Sequence, residues 1–320
     1  MRAAVIGVGG IGRTHVQNLS GLGEADLVAI ADLDREKAKK IQEDFGVPSV
    51  YNDYEEMMDR ESPDGVFICT PPSVHLDPIK AAAERGIAVF VEKPLDCDIE
   101  TAKESVKVCK SAGIVNQMGY HWRFNEGRVE ARRTLLEKGG TLGMFEGKWW
   151  GGIYNVPWWI RRKQSGGQIT EQTTHIFDQS RWLMGDVDSV QGLLATRINT
   201  DIEGYDIEDV SAVLLKFKSG SIGVVTSTNA AIGFEVGIKV IAENVKYSDF
   251  SDRVVLAWKG HEMEFRGKRS AYEAEEAAFI SAVESGDRTQ VDLEEGLRSL
   301  ELSLGAIESS RVGERINLPL

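Results

Sequence analysis

Cysteine is scarce in this chain: only Cys69, Cys97 and Cys109 are present, an odd number with neither CxxC nor zinc-ligand spacing. That gives no disulfide framework and no thiolate metal site, and it suits a reducing cytoplasm. No apolar run reaches the roughly 18 residues of a membrane-spanning helix. The opening MRAAVIG leads straight into an apolar strand, without the layout of a signal peptide, so the cytoplasm is the expected location. Cations are short as well. With 37 Lys and Arg against 50 Asp and Glu, the net charge is −13, and a nucleic-acid backbone is not an expected partner. Internal repeats and low-complexity tracts are also lacking.

The remainder is ordinary soluble-protein usage, 42% hydrophobic and 27% charged. At 320 residues the chain exceeds what one core usually holds, so two domains are expected, 1–120 and 121–320. In the first third, strand and helix patterns alternate. RAAVIG, ADLVAIAD, DGVFICT, IAVFVEKP and IVNQMGY read as strands. IGRTHVQNLSGL, DREKAKKIQEDFG, SVHLDPIKAAAERG and DIETAKESVKVCKSAG read as the helices between them, the second closed by Gly46. Such spacing predicts βαβ units, hence a doubly wound α/β fold with a parallel sheet covered on both faces.

Within it, GVGGIG places Gly7, Gly9 and Gly12 in a G-x-G-x-x-G pattern between the first strand and the first helix, with Gly10 and Ile11 in the same turn. The glycines permit a tight turn, close backbone approach to a pyrophosphate and close helix packing. The helix N-terminus offers unpaired N–H groups to the phosphates. Asp32 ends the second strand, where a carboxylate accepts both ribose hydroxyls of NAD. Leu33 follows it in the same ribose-facing turn. The acid repels a 2′-phosphate, so NAD is expected, although nearby Arg35 keeps NADP open. The segments CTPPSVH and VEKP each end a later strand and should face the same crevice, which lies outside the carboxyl ends of the strands.

A second constellation lies in SGGQITEQTTHIFD, residues 165–178. Read as one helix, it puts Glu171, His175 and Asp178 on one face. Ser165 and Gln168 form an S-x-x-Q capping box, and Gly166 and Gly167 clear the first turn for a flat ring. The stripe could move a proton, hold a metal or simply face water. Paired-histidine spacing is absent, so no metal is expected.

These motifs in this order resemble the Gfo/Idh/MocA oxidoreductase family, along the whole chain: VIGVGGIGRTH, CTPPSVH, VEKP, GYHWRF, the 165–185 segment and the C-terminal FISAVESGD and SLELSLGAIESSRVGERINL. The resemblance implies a hydride transfer between nicotinamide and a secondary alcohol of a sugar or cyclitol. It gives Lys93 and His175 catalytic roles, with Lys93 beside the reacting hydroxyl and His175 as proton acceptor. Pro94 would follow a cis peptide bond, and Thr70, Pro71 and His75 would line the nicotinamide side together with Glu92. Glu171 stands where inositol dehydrogenases carry an aspartate. Asp178 is expected to pair with Arg181 or Lys163.

The second half reads as an α+β domain. SAVLLKF and SIGVVTSTN alternate with period two around KSGS, a hairpin, and further strands predict a largely antiparallel open sheet of about six. In relatives such a sheet often makes a homodimer or homotetramer. GKWWGGIYNVPWWIRRKQSGG holds four of the seven Trp, and Trp158 or Trp159 is either a wall for a sugar ring or ordinary packing. Tyr120, His121 and Arg123, in GYHWRF, are further substrate-binding candidates. Two other functions stay open: a hydrolase that retains NAD, and a dinucleotide-binding sensor without catalysis.

Overall fold

Strands that are apolar throughout need cover on both faces. The computed structural model, which describes residues 1–154 and 156–320, gives the strands of the first third that cover. Along the chain run β1 (Arg2–Ile6), α1 (Gly10–Gly21), β2 (Asp26–Ala31), α2 (Arg35–Phe45), β3 (Ser49–Tyr51), α3 (Tyr54–Glu61), β4 (Gly65–Ile68), α4 (Leu76–Glu84), β5 (Ala88–Val91), α5 (Ile99–Ala112) and β6 (Asn116–Met118). All six strands are parallel, in the order β3-β2-β1-β4-β5-β6. The doubly wound fold is therefore present, with its switch point between β1 and β4. Aspartates cap α2, α3 and α5, and Gly46 and Gly113 end α2 and α5 with φ of 69° and 66°. One strand and one helix escape the sequence pattern. β3 has only three residues, and α3, YEEMMDRE, shows an apolar face of just Met57 and Met58.

The second unit opens with α6 (Glu126–Lys138) and β7 (Leu142–Trp150), then α7 (Arg162–Ser165), α8 (Gln168–Glu171) and α9 (Thr174–Met184). β8 (Val187–Ala195), β9 (Val210–Phe217), β10 (Ile222–Thr228), β11 (Glu235–Ala242), β12 (Lys246–Asp249), β13 (Val254–Trp258) and β14 (His261–Phe265) follow, then α10 (Ala271–Ser285), α11 (Leu293–Val312) and β15 (Ile316–Asn317). The sheet has nine strands rather than about six, ordered β14-β13-β12-β11-β7-β10-β9-β8-β15. The expected β9–β10 hairpin is there, with Lys216 opposite Ile222. β7, whose KWW reads as the front of an aromatic loop, is a central strand and runs parallel to β10. All other neighbours are antiparallel.

Alternation decides which face is covered. In β9, Val213, Leu215 and Phe217 point into a core shared with Phe145, Ile176 and Phe177, while Leu214 points out. Register places Leu193, Ile222, Met144 and Ile241 on that same outward side, all of them exposed.

The chain does not divide at one cut near residue 120. Met1–His121 groups with Tyr272–Leu297, and Trp122–Ala271 with Arg298–Leu320. The return of α10 to the first unit has a packing reason: Phe279 sits edge-on to Phe67 and Phe90, at 5.3 and 5.8 Å between ring centres.

Candidate active site

The nucleotide half of the site begins at the turn after β1. Gly7 has φ of +84°, and a Cβ there would come within 2.9 Å of the Cys69 carbonyl oxygen. A Cβ on Gly12 would come within 1.9 Å of the Gly7 carbonyl oxygen. Around Gly9 and Gly10 the space is open, with no atom within 4 Å of an added Cβ. Two glycines thus satisfy packing, and the space beside the others admits a ligand. Helix α1 starts at Gly9 with no side-chain cap and no acidic residue in its first turn, unlike α2, α3 and α5. Its free N–H groups suit a pyrophosphate.

Asp32 ends β2 with its carboxylate already engaged. Oδ2 accepts from the Val8 N–H and Oδ1 from the Asp34 N–H, both at 2.8 Å, and Lys37 Nζ lies 3.1 Å from Oδ2. The acid therefore also ties the glycine turn to β2. Lys37 is a cation that motif reading overlooked, because the fingerprint specifies only the acid. Leu33 and Arg35 are exposed beside it, and Ile11 is half-buried.

The loop after β4 carries Thr70 and Pro71. The buried Thr70 Oγ1 has no hydrogen-bond partner among the described residues, a group left over for a ligand. His75 does a different job from the one expected. It is fully buried, with Nδ1 3.0 Å from the Leu95 carbonyl oxygen and Nε2 2.9 Å from that of Thr70. Burial lowers its pKa, against the pull of those carbonyls. As a neutral ring His75 can donate to one of the two carbonyls, so it braces its loop from within the core. After β5, Lys93 is half-buried, and the Lys93–Pro94 peptide is cis. The Lys93 N–H donates to Glu92 Oε2 at 3.0 Å. In the same unit Tyr120 is fully buried and His121 stacks on Tyr272 with ring centres 4.1 Å apart.

The second unit holds the proton-handling candidates, on a path more broken than one helix. Gly166 and Gly167 have φ of 77° and 95°, so α7 stops and α8 starts afresh at Gln168. The expected capping box does not form. Ser165 Oγ instead accepts from the Gly167 N–H at 3.0 Å, and Glu208 Oε1 takes the Ile169 N–H at 2.7 Å. Glu208 is itself held by Arg162, at 2.6 Å. A Cβ on Gly167 would lie 2.7 Å from Glu208 Oε2, and one on Gly166 2.6 Å from Thr170 Cγ2. Those glycines are explained by this local packing, without a ring against them.

Glu171 closes α8, whereas His175 and Asp178 both lie in α9, so the three do not share one continuous helix. Glu171 Oε2 accepts from Trp159 Nε1 at 2.8 Å. Asp178 is held by a cation that the sequence reading does not pair with it. It takes a two-pronged grip from Arg123, at 2.6 and 2.9 Å, and Ser299 Oγ donates to it at 3.3 Å. Arg123 is thereby engaged in a buried ion pair. Trp159 is 2% exposed, packed inside, while Trp158 keeps some surface.

His175 itself is 4% exposed and packs against two indoles. Trp122 stacks on it at 5.3 Å and 25° and Trp149 at 5.6 Å and 16°, and the two indoles stack on each other at 5.9 Å and 24°, so the three rings form one cluster. The Arg128 guanidinium sits 4.3 Å over the Trp122 ring and forms an ion pair with Asp249. Neither Trp122 nor Trp149 was singled out by sequence. Trp149 is visible only once KWW is known to be a strand whose inward face meets α9.

A parallel sheet with an open, uncapped glycine turn and an acid closing its second strand defines a dinucleotide-binding protein. Comparison with known proteins narrows the class. Residues 1–120 match the model described as oxidoreductase family, NAD-binding Rossmann fold, and residues 133–247 match the GFO/IDH/MocA C-terminal domain. The chain belongs to the Gfo/Idh/MocA family and is an oxidoreductase with an NAD-binding domain. It is 28% identical to a myo-inositol 2-dehydrogenase of Thermotoga maritima, across 97% of this chain and 96% of that one. It is also 28% identical to the scyllo-inositol 2-dehydrogenase (NAD(+)) of Bacillus subtilis, across 99% and 96%. Among solved structures, one described as a probable dehydrogenase from Thermotoga maritima superposes with a TM-score of 0.88 at 26% identity, covering 99% of this chain and 98% of that one. No helix among the described residues is long and apolar enough to cross a membrane.

Proposed function

We propose that this protein is an NAD-dependent dehydrogenase of cyclitols or related sugars, with Lys93 and His175 as its catalytic residues. The observation that supports it best is the His175 ring packed against the two mutually stacked indoles of Trp122 and Trp149. Indole faces favour a cation, typically by about 0.5–2 kcal/mol, so the stack holds the ring plane and stabilises the imidazolium formed when His175 takes a proton. Relatives named as inositol dehydrogenases support the substrate class.

Bound NAD supplies the hydride acceptor. The Gly9 turn and the α1 N-terminus hold the pyrophosphate, and Asp32 accepts from the ribose hydroxyls. In the oxidation of a carbinol the C–H hydrogen would leave as hydride to the bound acceptor, and His175 would take the O–H proton. The Lys93 ammonium stabilises the developing alkoxide. Glu171, tied to Trp159, orients the substrate or the relay as an auxiliary group. The apolar outward side of the sheet, with Leu193, Leu214 and Ile222 exposed, is the proposed contact with a second copy of the chain.

The test is a panel of cyclitols, aldoses and anhydrosugars with NAD, followed by NADH absorbance. Turnover of at least one cyclitol or sugar, lost in both Lys93→Met and His175→Ala, supports the reading. Turnover that survives either substitution removes that residue from the chemistry. For assembly, light scattering of Leu214→Glu should report a smaller species than the unmodified chain.

A further inference from the structure

The first unit buries a group of ionisable side chains that the proposed chemistry does not use. His15, on α1, is fully enclosed. Its Nδ1 lies 2.6 Å from Glu276 Oε1 on α10, and its Nε2 lies 3.0 Å from Glu92 Oε1. Glu276 Oε1 also accepts from Asn18 Nδ2 at 3.1 Å. Glu275, beside Glu276, is fully buried too. The walls are apolar: the rings of Phe67 and Phe90 come within 5.5 and 5.1 Å of the His15 ring, and Tyr272 within 6.3 Å.

Such a site would be no less stable filled with hydrocarbon, because desolvating each ion costs several kcal/mol that pairing only partly returns. What the charges provide is a fixed geometry, and its direction is legible. Glu92 uses Oε1 on His15 and Oε2 on the Lys93 N–H, at 3.0 Å. From the other side Gly119 presses on the same carboxylate, since a Cβ there would lie 3.1 Å from Glu92 Cδ. Without the His15 bond, the carboxylate has an unpaired oxygen in an apolar pocket and no reason to stay on the lysine amide.

We propose that His15 is a positioning residue for Lys93: gripped by Glu276 and gripping Glu92, it holds the carboxylate that anchors the Lys93 amide. One side chain thereby ties the helix that follows the glycine turn, the lysine loop and the returning α10. Burial alone would lower the His15 pKa, but the bonds to Glu276 and Glu92 outweigh it and raise it to about 9, so the clasp stays cationic at neutral pH. Burial, with the nearby Glu92 and Glu276, raises the Glu275 pKa well above the carboxylate range, which opposes a third negative charge in the pocket. The proposal rests on the assignment of Lys93 to the chemistry, and the test below does not use turnover.

The experiment is hydrogen exchange resolved to the Lys93 amide, on the full-length chain, comparing the unmodified protein with His15→Asn. The expected result is exchange at Lys93 faster by about tenfold or more, while amides in the centres of β1 and β4 keep their protection and NAD affinity stays within about threefold. A uniform acceleration across the unit would mean a merely structural role and would overturn the proposal. So would unchanged exchange at Lys93. If His15→Asn does not fold, Glu276→Gln, which keeps shape and removes the charge behind the histidine, should speed Lys93 exchange in the same direction, and no change there overturns it equally. Loss of the Lys93 assignment would show instead as a Lys93→Met protein with normal turnover, whatever the exchange data say.

Discussion

Substituting Gly9 and Gly12 by alanine separates binding from folding within one turn. At Gly12 the new methyl carbon would lie 1.9 Å from the Gly7 carbonyl oxygen and 2.9 Å from its carbon, and both are backbone atoms that no rotamer change can move away. The turn or α1 must shift by more than an ångström. Overpacking of that kind costs about 1–3 kcal/mol. For a unit of this size that corresponds to a melting temperature lower by roughly 3–10 °C. Gly9 is the opposite case. Its φ is −67°, which alanine adopts without strain, and no atom lies within 4 Å of the added carbon. Gly9→Ala should melt at or slightly above the unmodified temperature, because alanine restricts the unfolded chain. Its methyl does occupy the space through which the pyrophosphate meets the backbone, so NAD affinity should fall at least about tenfold, or about 1.4 kcal/mol. Thermal melts without cofactor and fluorescence titration with NADH read the two quantities. A Gly9→Ala protein that binds NADH normally would refute the placement of the phosphates. A Gly12→Ala protein as stable as the original would refute the packing argument.

Other consequences are as open to measurement. NAD should bind about tenfold or more tighter than NADP. Asp32→Ser should close most of that gap by titration, helped by Lys37 and Arg35, and should also loosen the turn through the lost Val8 bond. His175→Ala should cut turnover by about 10² to 10⁴ with NAD binding kept, Lys93→Met should act similarly, and Glu171→Gln should cost less. Asp178→Ala should act on stability, losing about 3–5 kcal/mol in denaturant melts because it breaks a buried ion pair with Arg123. Stability should fall as pH rises from about 6.5 to 9: folded His15 keeps its proton up to about 9, whereas unfolded histidine loses it near 6.5, so its contribution, on the order of 3 kcal/mol, is complete below that window and gone above it. Glu275, also raised, acts in the same direction from the carboxylate range upward, and the fall should shrink in His15→Asn.

What was legible in the sequence was set by local chemistry. The strand–glycine–helix–acid run is read within thirty-two residues, and each part has a backbone reason. Partners brought by the fold were not legible. Glu208 caps α8 from the loop before β9, which no S-x-x-Q pattern could foretell, and Arg123 reaches Asp178 across 55 positions. His75 sits in the right loop, yet both of its nitrogens face backbone carbonyls. β7 was concealed because its Trp pair reads as loop aromatics until β10 and β11 are known to flank it. The two stacked tryptophans against His175 come from a turn and a strand far from it in sequence, so the feature that best supports proton transfer is invisible without the fold.

The central claim is a hydride transfer from a carbinol carbon to nicotinamide, and isotopic labelling tests it directly. A cyclitol or sugar oxidised by the protein is supplied with deuterium on the reacting carbinol carbon, and the NADH released is examined by proton resonance or mass. The account predicts one deuterium on the nicotinamide C4, with none washed into water. A product whose carbinol deuterium is retained, or exchanged with solvent, while NAD stays bound and unreduced at the end of turnover would contradict it and point to transient oxidation in the service of another reaction.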